Sequence, residues 1–458
     1  MVKGIGFVIG IVLARLIAPE IYGLLAIVTV FISLAQTFVL SGLATALVQN
    51  QETKEEDYST VFFLSMAIAA GAVVFLYFFA PIVAKIYEND IVVWPLRVLS
   101  LTLLIGAFDS VQTAKMQREM RFKEMMVCNL IATVVSGAAG IYAAIKGLGL
   151  WALVIYQMVQ VVTVAIAVFI AGKWLPTCTF SIKRAKILYG YGWKLLVSAL
   201  LTSFYSEIRL LIVGYKYTSA DLAYYNKGYQ FPNIIANTLD VSIQSVMLPV
   251  MSREQEKSEL LREMLKRTLS LSVFAVTPVL LGLAAIAETL IPVLLGEIWK
   301  PCIPLLCVFC VSEIMLPIKS SNLCLLKAIG RSDLYMKTEL VRRIIMIGIL
   351  AASLICFDSV LVIAIGYAVS AWIDTFIIAA AVNTQIKYSW IQQACTVWKS
   401  LFCGLMMYAI VYFMNSIAIN PIMLLMLQIV VGVGVYIVLS VISKNPAFSY
   451  IFRKLRTK

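Results

Sequence analysis

Apolar runs of about 18 residues or more recur along the whole of this 458-residue chain, and they constrain its fold more than any other feature. A helix needs about 20 apolar residues to cross the roughly 30 Å hydrocarbon core of a bilayer. Backbone amides in lipid find no water, so helices and closed barrels are the structures that can span it. Barrel strands alternate over about ten residues, and these runs do not alternate. Composition agrees, with 62% apolar and 13% charged residues, against about 45–50% and 25% in soluble domains. So few polar side chains cannot cover a water-soluble surface. The expected fold class is all-α, a polytopic membrane protein of about fourteen transmembrane helices.

The spans read at residues 4–18, 22–47, 59–81, 93–113, 125–145, 150–171, 195–213, 222–250, 268–287, 302–325, 344–357, 359–382, 400–415 and 421–442. With the first end inside, 28 of the 37 basic residues fall on one side. Lys54, Lys115, Arg118, Arg121 and Lys123 are among them, as are Lys183, Arg184, Lys186, Lys194 and the tail residues Arg453, Lys454, Arg456 and Lys458. The opposite gaps hold Lys85, Lys146, Lys216 and Lys300. This is the positive-inside bias of short loops, and it predicts both termini in the cytoplasm. The net charge of +13 therefore does not point to nucleic acid, because the basic loops are scattered and no recognition module is present. The first run is short, about fifteen residues with Arg15 inside, and no small-residue cleavage site follows it. The favoured reading places the natural start further upstream.

Histidine is absent, so Ser-His-Asp and Cys-His nucleophile systems and histidine metal sites are impossible. Nine cysteines include the pair Cys307 and Cys310 in the tenth span, without a second pair at zinc-ribbon spacing. They read as packing residues between membrane helices. No P-loop pattern occurs, and no loop is long enough to form a soluble catalytic domain. The chain is expected to be neither an enzyme nor dependent on a cofactor or metal.

Internal repetition is the next signal. Residues 14–25, ARLIAPEIYGLL, end one span and enter the next, as do residues 214–225, GYKYTSADLAYY. QREMRFKEM at 117–125 pairs with KAIGRSDLY at 327–335, and GLWALVIYQMV at 149–159 with SVLVIAIGYAV at 359–369. The expected organisation is a six-helix lobe over 1–190, a second over 191–390, and two further helices with a basic tail over 391–458. Two parallel lobes are a common transporter plan.

Several of these stretches, taken in order, carry a resemblance. ARLIAPEIYGLLAIVTVFI, DYSTVFF at 57–63 and FDSVQTAKMQREMRFKEM at 108–125 resemble bacterial polysaccharide exporters of the O-antigen flippase type. So do GLGLWALVIYQMV at 147–159, LAYYNKGYQFPNI at 222–234 and GLAAIAETLIPVLLGEIWKPCIPLL at 282–306. The chain looks most like the branch serving colanic-acid-like and teichuronic-acid-like polymers, within the multidrug, oligosaccharidyl-lipid and polysaccharide exporter superfamily. Members of this group typically carry some twenty more residues ahead of the first span, a departure that touches helix one. The resemblance implies two six-helix lobes around a central cavity in the bacterial cytoplasmic membrane. It also implies a flippase that carries an undecaprenyl-diphosphate-linked oligosaccharide from the inner to the outer leaflet by alternating access, driven by an ion gradient. The implied partners are that lipid-linked oligosaccharide, membrane lipids, and the polymerase and chain-length machinery of the same pathway, with the protein itself a monomer.

A diphosphate bearing sugars cannot cross hydrocarbon bare, so cations and hydrogen-bond donors must line its path, and intramembrane charges default to functional candidates. The cations within spans are Arg15, Arg97, Arg209, Lys227 and Lys319, the candidates for substrate binding. Snorkelling to the headgroups competes with that role for the first four, which lie towards the outer ends of their spans. Glu207, Asp240 and Glu313 are the candidate coupling or cavity acids, whereas Asp109 and Asp374 read as mostly structural. Glu207 lies two residues from Arg209, off its helix face, and needs a partner on a neighbouring helix. Pro317 clashes with the carbonyl of Glu313 four residues earlier, so a kink, an acid and the Lys319 cation are expected to coincide, with Glu313 either facing the cavity or held in a buried structural pair. For Asp240, a proton carrier and a hydrogen-bonding strut remain equal alternatives. Tyr224, Tyr225, Tyr229 and Phe231 read as an interfacial belt or as sugar-stacking rings. A drug or metabolite exporter on the same fold is the alternative function.

Overall fold

The computed structural model describes residues 2–40, 47, 55–177 and 181–456, excepting the side chains of 183–195, 198, 332, 451 and 453–456. Lys54, Lys458 and the stretch 41–46 at the end of the second expected span lie outside the described residues, as do the side chains of Lys183, Arg184, Lys186, Lys194, Arg453, Lys454 and Arg456. The fold is all-helical, with no strand among the described residues.

Two compact units divide the chain, Met1–Ala223 and Tyr224–Lys458. The first contains α1 (Val2–Leu16), α2 (Pro19–Leu40), α3 (Glu55–Ile86), α4 (Val93–Ser100), α5 (Thr102–Arg118), α6 (Phe122–Ile145), α7 (Leu150–Gly172) and α8 (Ile182–Lys216). The boundary falls near the start of α9 (Ser219–Arg253). The second unit continues with α10 (Ser258–Ala285), α11 (Ala287–Leu294), α12 (Cys302–Glu313), α13 (Leu316–Ala328) and α14 (Ser332–Cys356). It is completed by α15 (Val360–Ile386), α16 (Trp390–Phe413), α17 (Pro421–Ile442) and α18 (Pro446–Arg456).

Among the described residues, 11 helical stretches are long and apolar enough to cross a membrane. The three other expected spans coincide with α1, α8 and α14. With 15 residues, α1 is short for a crossing, and α14 carries Glu339, Arg342 and Arg343 before its apolar part. Large apolar side chains point outwards, as at Phe78 (72% exposed), Val430 (68%) and Ile355 (84%). At about 25 cal/mol per Å² such exposure is costly in water and costs nothing in lipid. The protein is a multi-pass membrane protein.

Small residues set the closest helix contacts, as expected where lipid tails remove the hydrophobic drive between helices. In the first unit α6 packs along α7 and against α1, and a Cβ on Gly137 would meet Ile9 Cδ1 at 2.3 Å. In the second, α10 packs along α16, and a Cβ on Gly404 would meet Thr277 Cγ2 at 2.4 Å.

The internal repetition is visible in the turns. Leu16 ends α1 and Pro19 opens α2; about 200 residues on, Lys216 ends α8 and Ser219 opens α9. Met120 (φ 57°) and Gly330 (φ 71°) hold the same left-handed position after α5 and α13. The following amides close the same loop, Arg121 N–H donating to Met116 O (2.9 Å) and Arg331 N–H to Leu326 O (3.0 Å). Both arginines then brace the next helix. Arg121 binds Glu124 and the Ala171 carbonyl (2.9 Å), and Arg331 binds Asp333 through two 2.9 Å bonds and Gln385 at 2.9 Å. Hydrogen bonds from Arg331 hold the exposed Asp333 carboxyl down at about 2. Gly149 and Ser359 are the N-caps of α7 and α15, which end on left-handed Lys173 and Lys387.

The DYSTVFF stretch has a structural task. Asp57, Tyr58, Ser59 and Thr60 are buried at the start of α3. Ser59 Oγ accepts from Thr177 N–H (3.0 Å), and Thr60 Oγ1 from Ser181 N–H (3.3 Å). Trp174 stacks edge-on against Tyr58 and Phe62, and its Nε1–H donates to Glu55 (2.9 Å), which also pairs with Lys115 (3.0 Å).

Candidate functional site

In the second unit the tenth expected span breaks where Pro317 requires it. The helix α12 ends at Glu313, Ile314 and Met315 form a turn, and α13 restarts with proline in its first turn. Glu313 is 4% exposed and accepts a hydrogen bond from Tyr367 Oη on α15 (3.1 Å). Beside it, α12, α13, α15 and α9 enclose a cavity of about 210 Å³. Glu313, Lys319, Tyr229, Asn233, Asn237 and Tyr367 supply its polar lining, with Ser312 and Thr375 beside them.

One face of α9 supplies half of that lining. Tyr229, Asn233, Asn237, Asp240 and Gln244 follow one another at intervals of three or four residues, which aligns them in a stripe. Asn233 donates to Tyr229 Oη (2.8 Å) and Asn237 to Asn233 Oδ1 (3.0 Å). Asp240, 7% exposed, accepts from Ser320 of α13 and from Gln244 (3.4 Å), which also reaches Ser320 (3.1 Å). The tyrosines are fixed by ring contacts, Tyr229 on Phe309 at 5.3 Å and on Tyr367 at 5.8 Å.

The eight candidate residues separate. Glu313 and Lys319 share the cavity, and Asp240 accepts a hydrogen bond from Ser320, the residue after Lys319. Lys227 stands two residues before Tyr229 on α9 and does not line the cavity; there that helix meets α12 closely enough that a Cβ on Gly228 would stand 3.0 Å from Leu305 Cβ. Arg15, Arg97, Arg209 and Glu207 belong to the first unit. Arg15 is exposed and Arg209 buried. Glu207 has its partner on a neighbouring helix, Ser33 of α2 donating to Oε1 at 3.3 Å. Arg97 is held between rings, its guanidinium carbon 4.2 Å from the centre of Tyr77 and 5.2 Å from Trp94, with Nε donating to the Tyr77 carbonyl (3.2 Å). Tyr225 and Phe231 are buried within the second unit, so they pack its interior and form no surface belt.

Sequence reasoning overlooked Asn233, Asn237 and Tyr367; the polar stripe on α9 was the signal for the first two. Within α14, the Arg342 side chain is buried at 4% exposure. There it pairs with Glu339 and lies 3.8 Å from Asp374. No set of three or more metal-ligating side chains converges among the described residues. The cavity gathers a carboxylate, an ammonium, amides and phenols, which suits it to hydroxyl-rich or charged groups and to a proton or cation held at Glu313.

Comparison with known proteins places the chain. Its fold matches that of lipid II flippase MurJ in an inward closed conformation, with a TM-score of 0.78 at 14% identity over 100% of this chain and 99% of that one. Teichuronic acid biosynthesis protein TuaB of Bacillus subtilis is 24% identical over 306 residues, 66% of this chain. That match spans 62% of TuaB, less than two thirds of its length. Succinoglycan biosynthesis transport protein ExoT of Rhizobium meliloti is 23% identical over 388 residues, 85% of this chain and 76% of ExoT. Residues 12–304 match the model of the family described as polysaccharide biosynthesis protein. With well over half its length inside that match, this chain belongs to the polysaccharide biosynthesis protein family.

Proposed function

We propose that this protein is a flippase for an undecaprenyl-diphosphate-linked oligosaccharide repeat unit, moving it from the inner to the outer leaflet of the bacterial cytoplasmic membrane by alternating access. The observation that carries the reading is the polar cavity around Glu313 and Lys319, built inside membrane-crossing helices of the second unit. Charges and amides at such depth are expensive, and they are kept where a polar cargo or an ion must be met. The family supports the polymer pathway, and the names of TuaB and ExoT support a precursor of a cell-surface polysaccharide.

In this reading the protein makes and breaks no covalent bond. Lys319 and Lys227 accompany the diphosphate in the second unit, and Arg15 and Arg209 are its candidate partners in the first; amides and phenols receive sugar hydroxyls; Glu313 and Asp240, and Glu207 in the first unit, are the acids for the coupling ion. Arg97, gripped by Tyr77 and Trp94, is the least suited of the five cations. The lobes 1–190 and 191–390, the appended 391–458, both termini in the cytoplasm, a monomeric state, and hand-over to a polymerase with its chain-length machinery are parts of the same proposal.

Complementation tests it. Cells lacking their own flippase for such a polymer should regain surface polymer when this chain is expressed. Glu313→Gln and Lys319→Met should lower export roughly ten- to a hundredfold at unchanged membrane abundance, the worth of a charge-assisted hydrogen bond of about 1.5–3 kcal/mol. Full export by both variants removes these residues from the mechanism. Absent polymer rescue combined with active extrusion of a cationic dye would favour the drug-exporter alternative instead.

A further inference from the structure

A second cavity, sharing no residue with the first, opens at the N-terminal ends of α10 and α16 beside α18, with a volume of about 940 Å³. Along α10 the residues Glu259, Arg262, Glu263, Lys266, Arg267 and Ser270 all line it. Their spacing of three and four residues makes them one continuous stripe of that helix. Across from them, α16 contributes Lys399. The cavity wall therefore carries four cations and two carboxylates.

The carboxylates do not cancel the cations. Glu263 is engaged by Arg267 at 3.8 Å, with both side chains more than half exposed. Lys266 has no ion-pair partner among the described residues and is exposed. Two guanidinium groups are poised on rings: Arg262 lies 5.8 Å from the centre of buried Tyr388, and Arg267 5.0 Å from that of Tyr450 on α18. Lys399 donates to the two carbonyls that follow α17, Ser443 at 3.0 Å and Lys444 at 3.5 Å. Pro446 and Ala447 also line the cavity. They open α18, whose start Asn445 caps by accepting from Ala447 N–H at 3.0 Å, so a partial positive helix charge lies at the wall.

The surroundings decide which anion fits. Both α10 and α16 are long and apolar enough to cross a membrane, so a cavity at their ends lies at headgroup depth. Leu260, Leu271 and Tyr450 give it an apolar side next to the cations. A small inorganic anion has no use for that wall or that volume, whereas a glycerophosphate headgroup leaving its chains in the bilayer uses both. We propose that this cavity binds the headgroup of an anionic phospholipid, its phosphate oxygens received by Arg262, Lys266 and Arg267. The bound lipid bridges α10 to α18 and holds that terminal helix in place.

The test uses the full chain purified into phosphatidylcholine nanodiscs with a stepped fraction of phosphatidylglycerol, bound lipid being counted by native mass spectrometry. Wild-type protein should retain phosphatidylglycerol, and a variant combining Arg262→Gln, Lys266→Gln and Arg267→Gln should retain it at least fivefold less. Lys266→Gln alone should lose about two- to threefold, which covers the case that the triple variant does not fold. A charge-matched control with Lys123→Gln, Lys146→Gln and Lys216→Gln should bind as wild type. Equal retention by Lys266→Gln and wild type, or an equal loss in the control, overturns the proposal. So does inorganic phosphate stabilising the protein in phosphatidylcholine alone as well as phosphatidylglycerol does, since the site is then one for small anions.

Discussion

At Gly23 an added Cβ would stand 1.7 Å from the carbonyl oxygen of Ser219 and 2.5 Å from its carbonyl carbon. The obstacle is backbone, so no rotamer change relieves it. Gly23→Ala should destabilise the protein by about 3 kcal/mol or more, at or above the top of the usual overpacking range, read as a lower melting temperature in detergent. Gly71→Ala, where nothing lies within 4 Å, should instead be neutral or stabilising by up to about 1 kcal/mol. Residue-level legibility was uneven for similar reasons. Pro317 announced the break after Glu313, because a missing N–H and a ring clash are local facts. Tyr367 as the donor to Glu313 was not legible, since 54 residues separate them and nothing local records which face of α15 meets α12.

Turns carry the element scale. Met120 holds a left-handed conformation that Gly330 adopts without a Cβ penalty at the equivalent place. Met120→Gly should therefore stabilise the first unit by about 1 kcal/mol, and Gly330→Ala destabilise the second by a similar amount, in thermal unfolding. Trp174 joins the link after α7 to the start of α3. Trp174→Phe removes its bond to Glu55 and part of its packing, a loss of about 1–3 kcal/mol measurable as a shift in melting temperature. The sequence pattern located α5, α6, α13 and α14 together with the basic turns between them, because apolar runs and Gly or charged punctuation are both local. Burial of Arg342 against Glu339 and Asp374 was hidden from it. A basic residue just outside an apolar run reads as solvated until a carboxylate from another helix is seen 3.8 Å away.

For the whole molecule, the charge asymmetry of the loops predicts an orientation that two native cysteines can report. Cys356 and Cys395 are both exposed, and the fourteen expected spans would put them on opposite sides of the membrane. A membrane-impermeant maleimide added to intact spheroplasts should label Cys356 and leave Cys395 untouched until the membrane is opened; the reverse would invert the topology. The sequence by itself determined that the chain is helical, lives in lipid and repeats its turns about 200–210 residues apart. Those properties follow from apolar run length, from backbone amides that must bond within their own helix, and from short-range turn chemistry. Only the tertiary structure decided which intramembrane charges meet. It put Glu313 and Lys319 in one cavity, fixed Arg97 between Tyr77 and Trp94, and gathered the stripe on α10 into a basic pocket. Those outcomes depend on the rotation of each helix about its axis, which is set by packing against neighbours distant in the chain.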